Sequence, residues 1–238
     1  MRLFTLSPRL KALADQVPPG SLLADIGTDH AMLPVWLLCR GVIERAVATD
    51  LRESPLKSAR ENARRFGVEE KISFRLGDGL QVLNSDEADV IVIAGMGGDT
   101  IAAILEAAPW ALGGEHLFLL QPMSSVHELR SRLQNHRFDI LSESLCTDAG
   151  RRYVSMAVRA GASTARLTPG EIWVGRQRRD REEPLRSAYL AGERNRAEKA
   201  LAGIAFSGKP EDAARREELK AVAADLERLE KEWLSWQP

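Results

Sequence analysis

Cysteine is nearly absent: the 238 residues hold two, Cys39 in a predicted helix and Cys146 in a predicted strand. Both sit among apolar neighbours and read as buried thiols in a reducing cytoplasm, not as part of a disulfide framework. No run of 18 apolar residues occurs, so no membrane-spanning helix is expected. Met1-Arg2-Leu3-Phe4-Thr5 is followed by polar residues too soon for a signal peptide. The four histidines, His30, His116, His127 and His136, lack metal-ligand spacing with each other or with cysteine, so no metal site is expected. Neither charge sign dominates, with 33 Lys+Arg against 34 Asp+Glu and a net charge of -1. That balance neither supports nor excludes a polyanionic partner, because a local patch can bind phosphates whatever the total. A P-loop is missing too, since no G-x-x-x-x-G-K-[ST] occurs.

What is present is enough for one substantial core, with 44% hydrophobic residues, and for one smaller extra module. Residues 1–20 read as an entry helix with Ser7 as N-cap, Pro8 at the first helical position and Leu6, Leu10, Leu13 and Val17 on one face. From residue 21 to about 160, short β-rich runs alternate with helix-length segments, the pattern of βαβ units. Strands are expected near 22–26, 45–50, 71–76, 89–94, 116–121, 138–146 and 152–159, with helices between the first five. Only Thr147-Asp148-Ala149-Gly150-Arg151 separates the last two, so they should form an antiparallel hairpin. Gly161-Ala162-Ser163-Thr164 reads as a linker. Beyond it, Leu219, Val222, Leu226, Leu229, Trp233 and Trp236 recur at steps of three and four as a heptad seam. Leu190, Ala197, Leu201 and Ile204 share a face of an earlier segment, broken from the last at Ser207-Gly208-Lys209-Pro210, which predicts an antiparallel coiled-coil hairpin.

Acids follow the first three predicted strands: Asp25 with Gly27 and Thr28, then Asp50 with Leu51, then Asp78 with Gly79. An acid after the second strand can accept hydrogen bonds from both ribose hydroxyls, and one after the third can accept from an adenine amine. A sulfonium and an amino group also favour an acidic lip, so the crevice reads as a site for S-adenosylmethionine (SAM). A dinucleotide site needs the fuller G-x-G-x-x-G turn for a pyrophosphate, whereas here Asp29 stands where the diphosphate would lie. After the fourth strand comes Ala94-Gly95-Met96-Gly97-Gly98, whose small residues let a planar base approach. The carbonyls of Ala94 and Gly95 can accept an amino hydrogen, and Met96 can pack on the ring.

The resemblance is then specific. Leu6-Ser7-Pro8-Arg9-Leu10, Asp25-Ile26-Gly27-Thr28-Asp29-His30-Ala31-Met32-Leu33-Pro34, Gly77-Asp78-Gly79-Leu80, Ala94-Gly95-Met96-Gly97-Gly98, Leu120-Gln121-Pro122 and Gly150-Arg151-Arg152-Tyr153 together resemble the TrmK family of bacterial tRNA methyltransferases. That resemblance implies methylation of N1 of the adenine at tRNA position 22. Asp29 is then the leading candidate to stabilise the developing positive charge or accept the proton, with His30 second. The family often has an aromatic residue two places after this histidine, where the present chain has Met32.

The expected architecture is therefore α/β, a class I SAM-dependent methyltransferase with a Rossmann-like seven-stranded sheet over residues 1–160 and a helical coiled-coil domain over 161–238. SAM is expected at Asp25, Gly27, Thr28, Asp50, Leu51, Asp78, Gly79, Ala94 and Gly95. Transfer of RNA into the site is expected to involve Arg9, Met32 and Met96, with Arg176, Arg178 and Arg179 as backbone anchors in a helix near the linker. Arg181, Lys11, Arg60, Arg64 and Arg65 are further candidates. The expected setting is a cytoplasmic monomer with tRNA as partner. A methyltransferase acting on a small molecule or protein, and a non-catalytic SAM-binding or RNA-binding module, are the alternatives.

Overall fold

The computed structural model describes residues 3–161, 166–180, 182–206 and 209–237. Residues 162–164 of the expected linker, Ser207-Gly208 and Arg181 lie outside them. The chain divides into two compact units, Met1–Ser163 and Thr164–Pro238.

The first unit is built on seven strands: β1 (Ser21–Ile26), β2 (Ile43–Asp50), β3 (Ile72–Leu76), β4 (Val90–Gly97), β5 (Leu117–Ser124), β6 (Phe138–Asp148) and β7 (Arg151–Ala160). They lie in the order β3-β2-β1-β4-β5-β7-β6. The first five are parallel, and β7 runs antiparallel between β5 and β6. β1 is buried nearly throughout and β4 is buried over Val90, Ile91, Val92 and Ile93, as expected of central parallel strands covered on both faces. The closing hairpin follows from its turn, where Ala149 and Gly150 both take positive φ (47° and 74°) between the paired Asp148 and Arg151. This is the conformation that matches the twist of two antiparallel strands.

Helix α1 (Pro8–Ala14) enters as the sequence predicts, with Ser7 at the N-cap and Pro8 first, although the Ser7 side chain makes no capping hydrogen bond. Leu6, Leu13 and Val17 are buried and Leu10 packs partly against the same core. α2 (Met32–Cys39), α3 (Glu53–Arg65) and α4 (Gly98–Glu106) fill three of the four gaps between the first five strands, and α5 (Val126–Asn135) follows β5. The fourth gap departs from expectation. Residues 77–89 between β3 and β4 form turns and no helix, because Asp78-Gly79 and Asn84-Ser85-Asp86 favour local side-chain bonding over helix.

The cysteine expectation also fails. Cys39 is exposed and Cys146 half-buried. Cys39 ends α2 just past its buried face of Val35, Leu37 and Leu38, and Cys146 lies on β6, an edge strand of the sheet.

In the second unit, α6 (Pro169–Val174), α7 (Arg186–Ile204) and α8 (Pro210–Trp236) pack together. α7 and α8 are antiparallel: Trp233 Nε1 donates to Ser187 Oγ (3.0 Å) at one end and Arg216 Nη2 to the Ile204 carbonyl (3.1 Å) at the other. Leu219, Val222, Leu226, Leu229 and Trp233 are buried in the seam. The short α6 was not anticipated. It starts with a full capping box, Thr168 and Glu171 each bonding the other's backbone N–H. Asp225 of α8 holds it, its carboxylate accepting from the Thr168 hydroxyl and the Gly170 N–H (2.7 Å) while Arg228 donates to the other oxygen (2.8 Å). Burial raises the Asp225 pKa, but the bonds from Thr168, Gly170 and Arg228 outweigh it and the net direction is down. A depressed folded pKa means the contribution is present above the ordinary carboxylate range and is lost as pH falls through the folded value. Asp225→Ala should accordingly lower the stability of the second unit by roughly 2–4 kcal/mol at pH 7, and by progressively less as the pH falls below the ordinary carboxylate range. Unfolding of the full chain followed by tryptophan fluorescence across that range checks this, and a loss that does not change with pH would exclude the ionic origin.

Candidate active site

The strand order reverses at β1: β2 and β3 lie to one side and β4 and β5 to the other. The crevice outside the carboxyl ends at this switch is where open α/β sheets bind ligands. Two amides are anchored there, since Gly27 N–H and Thr28 N–H both donate to the Thr49 carbonyl at 2.9 Å. Gly27 takes φ +71°, a conformation that favours glycine, and the Met96 methyl carbon packs against it, 2.2 Å from where a Cβ would stand. The turn then continues through two further left-handed residues, Asp29 (φ 46°) and Ala31 (φ 49°). Non-glycine residues held in that region mark a loop whose surroundings over-determine its conformation.

Asp25 lies beneath this turn, 7% exposed, with Thr28 Oγ1 donating to its Oδ2 at 2.5 Å. Burial pushes its pKa up to about 6, and the Thr28 bond lowers it only partly. Asp29 and His30 project outward, with side chains 71% and 57% exposed and Oδ1 3.7 Å from Nε2. Asp50, also buried, accepts from the Arg52 N–H (2.9 Å), leaving neighbouring Leu51 exposed. Asp78 is exposed and Gly79 buried, held one strand further along because the Gly77 N–H donates to the Asp50 carbonyl (3.0 Å). At the end of β4 the ladder to β5 slips: Ala94 pairs with Gln121 and Met96 with Pro122, so Gly95 (φ +76°) bulges into the crevice.

The sequence-predicted residues of the first unit therefore converge on one edge: Arg9, Asp25, Gly27, Thr28, Asp29, His30, Met32, Asp50, Leu51, Asp78, Gly79, Ala94, Gly95 and Met96. Arg9 reaches it from α1, its Nη1 donating to Gln121 Oε1 (3.2 Å) and its Nε lying 3.6 Å from Asp148 of the hairpin. Arg176, Arg178 and Arg179 belong to the second unit, and they are exposed in the non-helical segment after α6, not in a helix as expected. The reason is local: Gly175, with φ 73°, ends α6 one residue before them.

Three contributors escaped the sequence reading. The Thr49 carbonyl is invisible in any motif. Gln121, 1% exposed, enters the sequence pattern only through the family resemblance, and its other amide end donates to the Pro122 carbonyl (2.8 Å). Asn62 of α3 donates to the His30 carbonyl (2.9 Å) and lies 3.6 Å from the Met32 sulfur. Its one signal was a poor helix former in the middle of an otherwise regular helix.

Four carboxylates, two buried and two exposed, thus face a crevice whose floor is glycine backbone. This fits a cationic nucleoside ligand such as SAM, and among the described residues no cluster suited to a metal ion occurs. A family model described as "Methyltransferase domain" matches residues 6–156. The tRNA (adenine(22)-N(1))-methyltransferase of Bacillus subtilis is 38% identical over 66% of each chain. The crystal structure of the B. subtilis M1A22 tRNA methyltransferase TrmK superposes with a TM-score of 0.85 at 29% identity, covering 96% of this chain and 100% of that one. The chain belongs to the TrmK family. A further structure, Streptococcus pneumoniae Sp1610 in complex with S-adenosyl-L-methionine, has a TM-score of 0.75 at 34% identity and covers 92% of this chain and 100% of that one.

For a TrmK-family crevice, a carboxyl with a pKa of about 6 has a measurable consequence. The folded value exceeds the ordinary 3.8, so protonation of Asp25 favours the native state. That gain is complete below the ordinary value and is lost as pH rises through about 6. At pH 8 the ligand-free protein should be stabilised by roughly 1–3 kcal/mol on Asp25→Asn substitution, whereas at pH 4 the two proteins should melt alike. SAM affinity should show the complement, falling as pH drops below about 6 in the native protein and staying flat in the variant. Thermal melts and calorimetric titrations across that range test both halves.

Proposed function

We propose that this chain is a tRNA (adenine(22)-N(1))-methyltransferase, a cytoplasmic monomer that uses SAM as methyl donor. The observation that carries the reading is the 38% identity to the B. subtilis enzyme of that name, on a crevice with an acid at each of three successive strand ends. SAM supplies a methyl group on a cationic sulfur.

The chain's own residues then have to bind, orient and exclude water. Asp50 faces the ribose position and Asp78 the adenine edge, while Asp25 and Thr28 lie below the turn that approaches the sulfur end. Adenine N1 already carries a lone pair, so no strong base is needed before transfer. What is needed is alignment of N1 with the breaking bond, a matter of positioning. The bulged Gly95 and the side chains of Met96 and Met32 line the approach for a planar ring. Asp29, held outward by left-handed backbone, is placed to stabilise the cationic methylated base and receive its proton, with His30 beside it.

Position 22 lies within the folded tRNA, so the base must leave its stack at a cost of a few kcal/mol. The segment after α6 supports an anchoring role. Arg186, buried, donates to the carbonyls of Val174 (2.7 Å) and Gly175 (2.8 Å), and Gln177 donates to the Leu229 carbonyl (2.8 Å). Arg176, Arg178 and Arg179 are thereby presented on a fixed backbone, with Arg178 paired to Asp180 at 3.2 Å until a phosphate competes.

The decisive experiment is transfer of labelled methyl from SAM to tRNA transcripts with adenine or guanine at position 22, with the product mapped by mass spectrometry. Label in 1-methyladenosine only on the adenine transcript is expected, and label elsewhere would overturn the substrate assignment. Asp29→Asn should cut kcat by roughly 100-fold or more while leaving affinity for S-adenosylhomocysteine unchanged. Replacing Arg176, Arg178 and Arg179 together with Ala should weaken tRNA binding and reduce the slope of log affinity against log salt by about 2–3.

A further inference from the structure

The connection from β3 to β4 has to cross β2 and β1, about 14 Å sideways at ordinary strand spacing, and return to the amino end of the sheet. A crossover of this kind ordinarily uses a helix. Here residues 77–89 do it as a strap, with Leu80 and Leu83 buried beneath it.

Besides local turn bonds and a contact of His116 Nε2 with the Ser85 carbonyl (2.6 Å), one cation ties the strap to the sheet. Arg75, in β3, donates from Nη1 to the Val82 carbonyl (2.8 Å) and to Glu87 Oε2 (2.7 Å), and from Nη2 to Glu87 Oε1 (2.6 Å). Glu87 in turn accepts from the Asn84 N–H at 2.8 Å. The Arg75 bonds, then the Asn84 amide, hold the Glu87 carboxyl down to about 2, so the pair is ionised at any pH where an enzyme of this kind works.

Val82 carries this constraint to the site. Its carbonyl is held by Arg75, and its side chain packs so closely on Gly77 that a Cβ there would lie 2.0 Å from Cγ1. On the other side Gly79 (φ +51°) is pressed against Ile104, which a Cβ would approach to 3.0 Å. Asp78 stands between these two contacts. A contiguous path therefore runs from Glu87 through Arg75, Val82 and Gly77 to the carboxylate that faces the adenine edge.

We propose that the Arg75–Glu87 pair is a positioning device for the cofactor, which fixes Asp78 through Val82 and so sets the affinity for the 6-amino group of adenine. The inference rests on the SAM reading of the crevice and names residues that no binding motif includes. Neither Arg75 nor Glu87 is among the residues assigned to the ligand. Their effect has to appear as a loss of discrimination at one atom.

The test compares calorimetric affinities for S-adenosylhomocysteine and for its analogue with hydrogen in place of the 6-amino group, using the full chain. Glu87→Gln and Arg75→Lys each break the two-pronged bond with little change in volume. Val82→Ala leaves the pair intact and loosens only its contact with Gly77. All three should weaken S-adenosylhomocysteine about tenfold and the deaminated analogue less than twofold. KM for SAM should rise with kcat and KM for tRNA within about twofold of the native values. Unchanged affinity in folded variants would overturn the proposal, as would equal losses for both ligands, which would mean general loosening of the fold. Native protein that binds neither ligand would instead overturn the SAM reading itself.

Discussion

One carbonyl oxygen holds the site together. Thr49, at the carboxyl end of β2, accepts from the amides of both Gly27 and Thr28, and a carbonyl has two lone pairs with which to do so. This turns the end of β1 back over its neighbour just where the sheet reverses its winding. Asp25 is sealed underneath, and Asp29 and His30 are driven outward on the following left-handed residues. The register matters as much as the bond. Ile26 pairs with Thr49 on one side and Ile93 on the other, so the acidic turn, Asp50 and Ala94 emerge at one height. A slip of one residue would reverse the face of every side chain in the strand.

The near-neutral total charge conceals local patches of each sign. The crevice is acidic, with Asp29 and Asp78 exposed at its lip and Asp25 and Asp50 buried behind it, as a cationic methyl donor favours. The arginines that suit a phosphate backbone are placed instead on the segment after α6, where Arg186 and Gln177 fix the main chain from below.

Much of this was legible in the sequence, and what was legible was local. The seven strands declared themselves through β-rich runs at βαβ spacing, the hairpin through the shortness of its Thr147-Asp148-Ala149-Gly150-Arg151 connection, and the crevice through acids that followed strand after strand. The helical seam of α8 was written in its steps of three and four. What escaped was set by partners far apart in the chain. Arg9 and Gln121 are bonded across 112 positions, and no window reveals that. The strap of residues 77–89 looked long enough for a helix, but its Asp, Gly, Asn and Ser content favours turns. The exposure of Cys39 and the termination of α6 at Gly175 both depended on a position at the end of an element, where a pattern read from the middle does not reach.

The crevice also works against the stability of the sheet that carries it. Asp25 is ionised at neutral pH only against the desolvation that pushes its pKa to about 6. Asp29 and Ala31 add left-handed strain of about 1 kcal/mol or more each. These costs fall at the end of strands whose preceding residues are among the most completely buried in the protein: Leu23, Ala24 and Ile26 of β1, and Ile91, Val92 and Ile93 of β4. Burial of a single large aliphatic side chain contributes about 1.5–3 kcal/mol, so two or three of them offset the whole of the strain. The apolar strand residues and the acidic turn that follows them are thus one arrangement seen from two sides. A core this rigid is needed to hold a carboxylate in a place it would otherwise leave, and a cationic ligand is what makes that place favourable.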